Sequence, residues 1–154
     1  MNEKMQTGID EVHEGLPAVP ASILLVEDDP AVREVTRNVL EMGGYLVLTA
    51  DGPAEAAGIV GNLSTRIDLL LTDVIMPEMN GLQLAKQIRE SRPDLDALFM
   101  TGYAGTEILR LAGTLPTYIQ KPFTVTGLLS RVAEALATRW HNTTRIREPQ
   151  HTTQ

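Results

Sequence analysis

Five short apolar runs, each followed by a stretch with helical spacing, leave this chain few ways to fold. The runs fall at residues 22–26, 45–50, 67–72, 97–101 and 117–120. Ile23-Leu24-Leu25-Val26 and Ile67-Asp68-Leu69-Leu70-Leu71-Thr72 are nearly continuous in apolar character, as strands covered on both faces must be. After the first run, Asp29 suits an N-cap and Pro30 the first helical position. Val32, Val35, Val39 and Met42 recur at three- and four-residue steps, which predicts an amphipathic helix. Gly43-Gly44 ends it by permitting positive φ. Further helices are expected from 53 to about 60 and, capped by Asn80, over Leu84, Ala85 and Ile88. Two more are expected at 106–112, after a loop at 102–105, and at about 126–140, with Leu129, Val132, Leu136 and Trp140 on one face.

Strands alternating with helices, joined by right-handed crossovers, predict an α/β fold: a flavodoxin-like, doubly wound (βα)5 sandwich. Its five-stranded parallel sheet takes strand order 2-1-3-4-5. In such a sheet the C-terminal strand ends open on one crevice, where ligands bind. Here those ends carry charge. Glu27 and Asp28 close the first run, Asp73 the third, and Lys121 the fifth, with Thr101 at the end of the fourth.

Three carboxylates in one crevice repel, by roughly 4 kcal/mol for each pair ~4 Å apart at an effective dielectric near 20. Without a counter-ion they would take up protons. An oxygen-only site with room for water suits Mg²⁺. A carboxylate can also act as a nucleophile and form an acyl phosphate. Asp73 is the candidate, because it follows the most buried-looking strand. Lys121 offers a positive donor to the same phosphoryl group, and Thr101 a hydroxyl. Thr101 could equally cap a helix, and Tyr118 could be a half-buried strand residue.

Four segments in this order and spacing resemble the receiver domains of bacterial two-component response regulators. They are Val26-Glu27-Asp28-Asp29-Pro30, Leu71-Thr72-Asp73-Val74-Ile75-Met76-Pro77-Glu78-Met79-Asn80-Gly81, Phe99-Met100-Thr101-Gly102-Tyr103 and Tyr118-Ile119-Gln120-Lys121-Pro122-Phe123. The resemblance covers residues 22–140. It implies a phosphoacceptor module, not an enzyme acting on other substrates, that takes a phosphoryl group on Asp73 from a phosphohistidine. The donor would be a sensor histidine kinase or a histidine phosphotransfer protein. Glu27, Asp28, Asp73 and the Ile75 backbone carbonyl would hold Mg²⁺. Lys121 and Thr101 would steady the phosphoryl group, and Thr101 with Tyr118 would form the switch. The Lys121–Pro122 bond is expected to be cis. The face built from the fourth helix, fifth strand and fifth helix could also serve a homodimer. Ile75 and Tyr103, apolar and aromatic beside the path of an attacking water, predict slow dephosphorylation. The run from Phe99 to Ala104 resembles receivers attached to hybrid kinases.

Composition trims the alternatives. The chain has 154 residues, no cysteine and a formal charge of −7. Disulfides and thiolate zinc sites are excluded, and a nucleic-acid surface, which needs a basic face, is not expected. No run approaches the ~20 apolar residues of a membrane helix. A cytoplasmic location is the expectation. Residues 1–21 read as a disordered leader in which Val12 and Leu16 could dock on a neighbour, and 141–154 as a polar tail too short for an output domain. His13, His141 and His151 have no metal-ligand spacing. Met76, Pro77 and Met79 read as loop-shaping. A flavin carrier would need a glycine- and hydroxyl-rich loop after the first strand, where this chain has Glu27-Asp28-Asp29-Pro30. An aspartate-based phosphatase would need an acid at the position of Ile75. A receiver that has lost phosphorylation and only docks would not need the intact acidic pair, Asp73, Thr101 and Lys121.

Overall fold

Each apolar run becomes a strand and each periodic stretch a helix. The computed structural model describes residues 19–111 and 117–146, the side chains of 139–146 excepted. The order is β1 (Ser22–Val26), α1 (Pro30–Met42), β2 (Leu46–Ala50), α2 (Pro53–Gly61), β3 (Leu69–Asp73), α3 (Gly81–Ser91), β4 (Asp96–Thr101), α4 (Tyr103–Leu111), β5 (Tyr118–Gln120) and α5 (Val125–Ile146). All strand pairs are parallel and the sheet order is β2-β1-β3-β4-β5. This is the doubly wound topology the alternation predicts.

The two-residue period of β3 divides the core into two halves. Leu69 and Leu71 join Ile23, Leu25, Leu98 and Met100 beneath α1 and α5, where Leu40, Leu128 and Val132 cover them. Leu70 turns the other way, to Leu24, Val26 and Phe99, covered by Val60, Leu84, Ile88 and Leu109. Every apolar side chain of β3 is thus buried, at about 1.5–3 kcal/mol for each leucine. The sheet is thereby a fixed platform for what stands at its upper edge.

Four expectations shift. On α1 the buried face is Thr36, Val39 and Leu40, while Val35 and Met42 are exposed. Thr36 can be buried because its hydroxyl donates to the Val32 carbonyl (2.7 Å). The positive φ expected of the Gly43-Gly44 pair falls on Gly44 (φ 90°) as anticipated. On α5 the innermost residues are Leu128, Val132 and Leu136, with Leu129 half-buried. That helix also runs on to Ile146 instead of ending at 140, since no glycine or proline stands between Trp140 and Pro149 to stop it. Of the expected loop 102–105 only Gly102 remains outside a helix, because α4 begins at Tyr103. The Gly102 carbonyl accepts from the Thr106 N–H (3.1 Å) and the Thr106 hydroxyl (3.1 Å), which closes the first turn. Of the expected leader, residues 1–18 lie outside the described residues, among them His13, Val12 and Leu16; so do 147–154 with His151, and the side chains of Trp140 and His141.

Candidate functional site

Register carries the acids to one level. Val26 pairs with Thr72 and Asp73 with Met100, so Glu27, one residue past β1, stands beside Asp73. These are the two central strands from which the connections leave in opposite directions, the switch point of such sheets. One carboxylate oxygen each from Glu27, Asp28 and Asp73 lie within 4.8 Å of one another. Lys121 follows β5, two strands away from β3, and its side chain spans the width of β4. Its Nζ donates to Glu27 Oε2 (2.7 Å) and Asp73 Oδ2 (2.9 Å). The Lys121–Pro122 bond is cis.

The three acids are not equivalent. Glu27 is 1 % exposed and is also held by the Asp29 N–H at Oε1 (3.2 Å). Asp28 is exposed and makes no hydrogen bond or ion pair among the described residues. Asp73 is half-buried, with its Oδ1 accepting from the Ile75 N–H (3.3 Å). Ile75 itself is exposed. Thr101 is fully buried, and its hydroxyl donates to the Gly102 carbonyl (2.9 Å). Tyr118 is half-buried beside Phe99 in the β4–β5 register and packs on the cluster that contains Leu109. Tyr103 is exposed at the start of α4. Met76 is a core residue, with Met79 packed against the same cluster.

Burial and charge together govern the titration. Burial pushes the Glu27 carboxyl above 4.5, and Asp73 adds to the rise; the Lys121 hydrogen bond and charge pull the other way without cancelling it. Burial lowers the Lys121 ammonium, but its bonds to Glu27 and Asp73 outweigh this and leave it above 10.5. Three carboxylates against one ammonium leave two negative charges if all are ionised, the deficit a hard dication on oxygen ligands would fill. In chelator, the folded protein keeps a proton on Glu27 at pH values where the unfolded chain has lost it. Glu27 therefore favours folding at low pH, and this contribution disappears as pH rises from 4.5 through the raised value. Thermal melts of wild type and Glu27→Gln in EDTA across that range should diverge in slope. Parallel curves would contradict the assignment.

Three supporting residues escaped the sequence reading. Arg33, one turn into α1, donates from its guanidinium to the Glu27 carbonyl (2.7 Å) and so fixes the acidic loop from behind. Its signal was a lone arginine one turn after an acidic loop. Thr72 is buried and donates to the Asp73 carbonyl (3.0 Å). Gly81, capped by the reciprocal Asn80–Gln83 pair, approaches the same carbonyl so closely that an added Cβ would stand 2.3 Å from the Asp73 oxygen. Because that neighbour is backbone, Gly81→Ala should destabilise by about 1–3 kcal/mol and displace Asp73, read from the urea midpoint. An unchanged midpoint would show that α3 shifts freely.

Comparison with known proteins converges on one family. Residues 23–133 match the response regulator receiver domain family. The chain is 36 % identical over 121 residues to the sensor kinase CckA of Brucella abortus (strain 2308), covering 75 % of this chain and 12 % of that protein. It is 35 % identical over 120 residues to the response regulator MprA of Mycobacterium sp. (strain KMS), covering 77 % of this chain and 51 % of that one. The chain thus spans about half of MprA and a small part of CckA. Among solved structures, the receiver domain of the hybrid histidine kinase CckA matches with TM-score 0.63 and 34 % identity, over 75 % of this chain and 99 % of that one. A CheY-like receiver protein of Methanospirillum hungatei JF-1 matches with TM-score 0.69 and 29 % identity, over 80 % and 98 %.

Proposed function

The chain belongs to the response regulator receiver domain family, the phosphoacceptor modules of two-component phosphorelays, and on that premise we propose that Asp73 is its acceptor. The observation that carries this reading is the meeting of Glu27, Asp28 and Asp73 within 4.8 Å, bridged by Lys121. An Asp73 carboxylate oxygen bonds to phosphorus as the phosphorus–nitrogen bond of a phosphohistidine breaks, and the imidazole keeps the electron pair. Lys121 stands in place before the phosphoryl group arrives, so no reorganisation is needed to meet its charge. Glu27, Asp28, Asp73 and the Ile75 carbonyl would hold Mg²⁺, whose chemistry is to neutralise the phosphoryl oxygens. Asp28, exposed and without a protein partner, is the acid best placed to bind directly; Glu27 is already committed to Lys121 and the Asp29 N–H.

The donor is a histidine kinase or a histidine phosphotransfer protein, and the chain does no chemistry beyond making and losing its own acyl phosphate. Among the described residues no helix is long and apolar enough to cross a membrane. We place the protein in the cytoplasm, with its output on other proteins and not on nucleic acid or lipid. Exposed Tyr103 and Leu111 on α4 support homodimerisation through the α4–β5–α5 face. We place the domain at 22–140.

Acetyl phosphate with Mg²⁺ should add one phosphoryl group, about 80 Da by intact mass, and chelator should prevent it. No adduct under either condition would leave only a docking module. Once formed, the adduct should outlast minutes, since exposed Ile75 and Tyr103 provide no acid to activate water. Loss within seconds would refute that.

A further inference from the structure

We propose that Arg33 sets the preference of the acidic crevice for Mg²⁺ over Ca²⁺, by gripping the backbone on both sides of Asp28. This rests on the reading of Glu27, Asp28 and Asp73 as an Mg²⁺ site and names the residue that decides which dication enters. The Arg33 guanidinium donates to the Glu27 carbonyl (2.7 Å), one residue before Asp28. The Arg33 N–H donates to the Asp29 carbonyl (2.9 Å), one residue after it. The Glu27 carbonyl belongs to the rigid peptide unit that leads into Asp28, so holding it fixes the direction in which Asp28 leaves the strand. Among the described residues Arg33 forms no ion pair. Its cation is aimed at a carbonyl.

The rest of the loop is pinned as well. The Glu27 N–H donates to the Ala50 carbonyl (3.1 Å) and the Asp29 N–H to Glu27 Oε1 (3.2 Å), while Asp29 Oδ1 accepts from the Ala31 and Val32 N–H groups. Within 27–29 only the Asp28 side chain has no partner among the described residues, and it stands exposed on a braced backbone. Rigid placement matters more to one ion than to the other. Mg²⁺ demands near-octahedral geometry at about 2.0–2.1 Å, whereas Ca²⁺ accepts irregular shells at about 2.3–2.6 Å. A loop that cannot spread suits the smaller ion. Both ions carry two positive charges, so the repulsion from Arg33's own charge falls on them alike and cancels in the ratio of their affinities. That ratio isolates the grip from the charge.

Arg33→Gln keeps a good helix former at this half-buried position and leaves the buried face of α1, Thr36, Val39 and Leu40, untouched. The glutamine is neutral and shorter, so it gives up the Glu27 carbonyl while the backbone bond to Asp29 stays. Two-dimensional amide NMR, with MgCl₂ or CaCl₂ titrated into protein without phosphodonor, reads both affinities from the Asp28 and Ile75 amides. Mg²⁺ should bind about tenfold more weakly than to wild type, as when a group that orients a metal ligand is lost, while Ca²⁺ should change by less than about twofold. Should Arg33→Gln fail to fold, Arg33→Lys carries the test: it keeps the charge but replaces a planar fork with one flexible donor, and its Mg²⁺-to-Ca²⁺ ratio should still fall. A ratio equal to that of wild type would overturn the proposal, whether both ions tighten from the lost charge or neither moves. Two unfolded variants would overturn it too, by assigning Arg33 to stability alone. Wild type that binds both ions but takes no phosphoryl group would sink the receiver reading and leave the ratio to decide Arg33. Wild type whose amides respond to neither ion would sink both.

Discussion

Asp73→Asn should abolish the phosphoryl adduct that wild type gains from acetyl phosphate and Mg²⁺. The amide keeps the shape of the side chain at the end of β3 but is a far poorer nucleophile. It also withdraws one of the three carboxylates, so affinity for Mg²⁺ should fall with it. Folding should survive, because Asp73 contributes no apolar surface and its strand is pinned by Leu69, Leu70 and Leu71 in the core. Intact mass after incubation is the direct measurement. An adduct of the same size, at the same rate, on the variant would remove Asp73 from the centre of this mechanism and point to another acceptor.

The second large effect is expected at Lys121. Its ammonium is the only positive group within bonding distance of Glu27 or Asp73 side-chain oxygens among the described residues. Lys121→Met should slow phosphorylation by about 10²–10³-fold, the range seen when one preorganised donor to a developing oxyanion is removed. In chelator the variant should also behave differently as an acid. With the lysine gone, burial and Asp73 act on Glu27 against only the Asp29 N–H bond, so its carboxyl should titrate higher than in wild type. Leaving a buried carboxyl unpaired should cost about 1–3 kcal/mol of stability at neutral pH, less at low pH where Glu27 is protonated. A time course with acetyl phosphate, paired with urea melts at two pH values, tests both. Wild-type kinetics in the variant would show that the lysine is only a counter-charge for the empty nest.

The site was legible because topology and chemistry coincide. Glu27, Asp73 and Lys121 each end an apolar run, and parallel strands bring such ends together whatever the details of packing. The phase of α1 was not legible. Four valine and methionine positions fit a helical stripe as well as the true one, and the burial of Thr36 depends on a bond to its own helix that composition does not announce. The start of α4 was hidden for a related reason. Gly102 and Gly105 look like helix breakers in isolation, yet one supplies the carbonyl that closes the turn and the other the clearance over Thr101. Arg33 and Gly81 act on backbone atoms of the acidic residues, and backbone contacts leave no mark in residue spacing.

The bracing behind Asp73 has a directional consequence. Thr72 and Gly81 crowd its carbonyl, and the Gly81 N–H is bonded to the Val74 carbonyl (2.7 Å), so the proposed acceptor is backed by a wall with little slack. Close-packed interiors pass displacement along the route that yields. On the proposed reading, a phosphoryl group arriving at Asp73 would meet resistance toward α3, and the strain it brings would be relieved sideways, across β4.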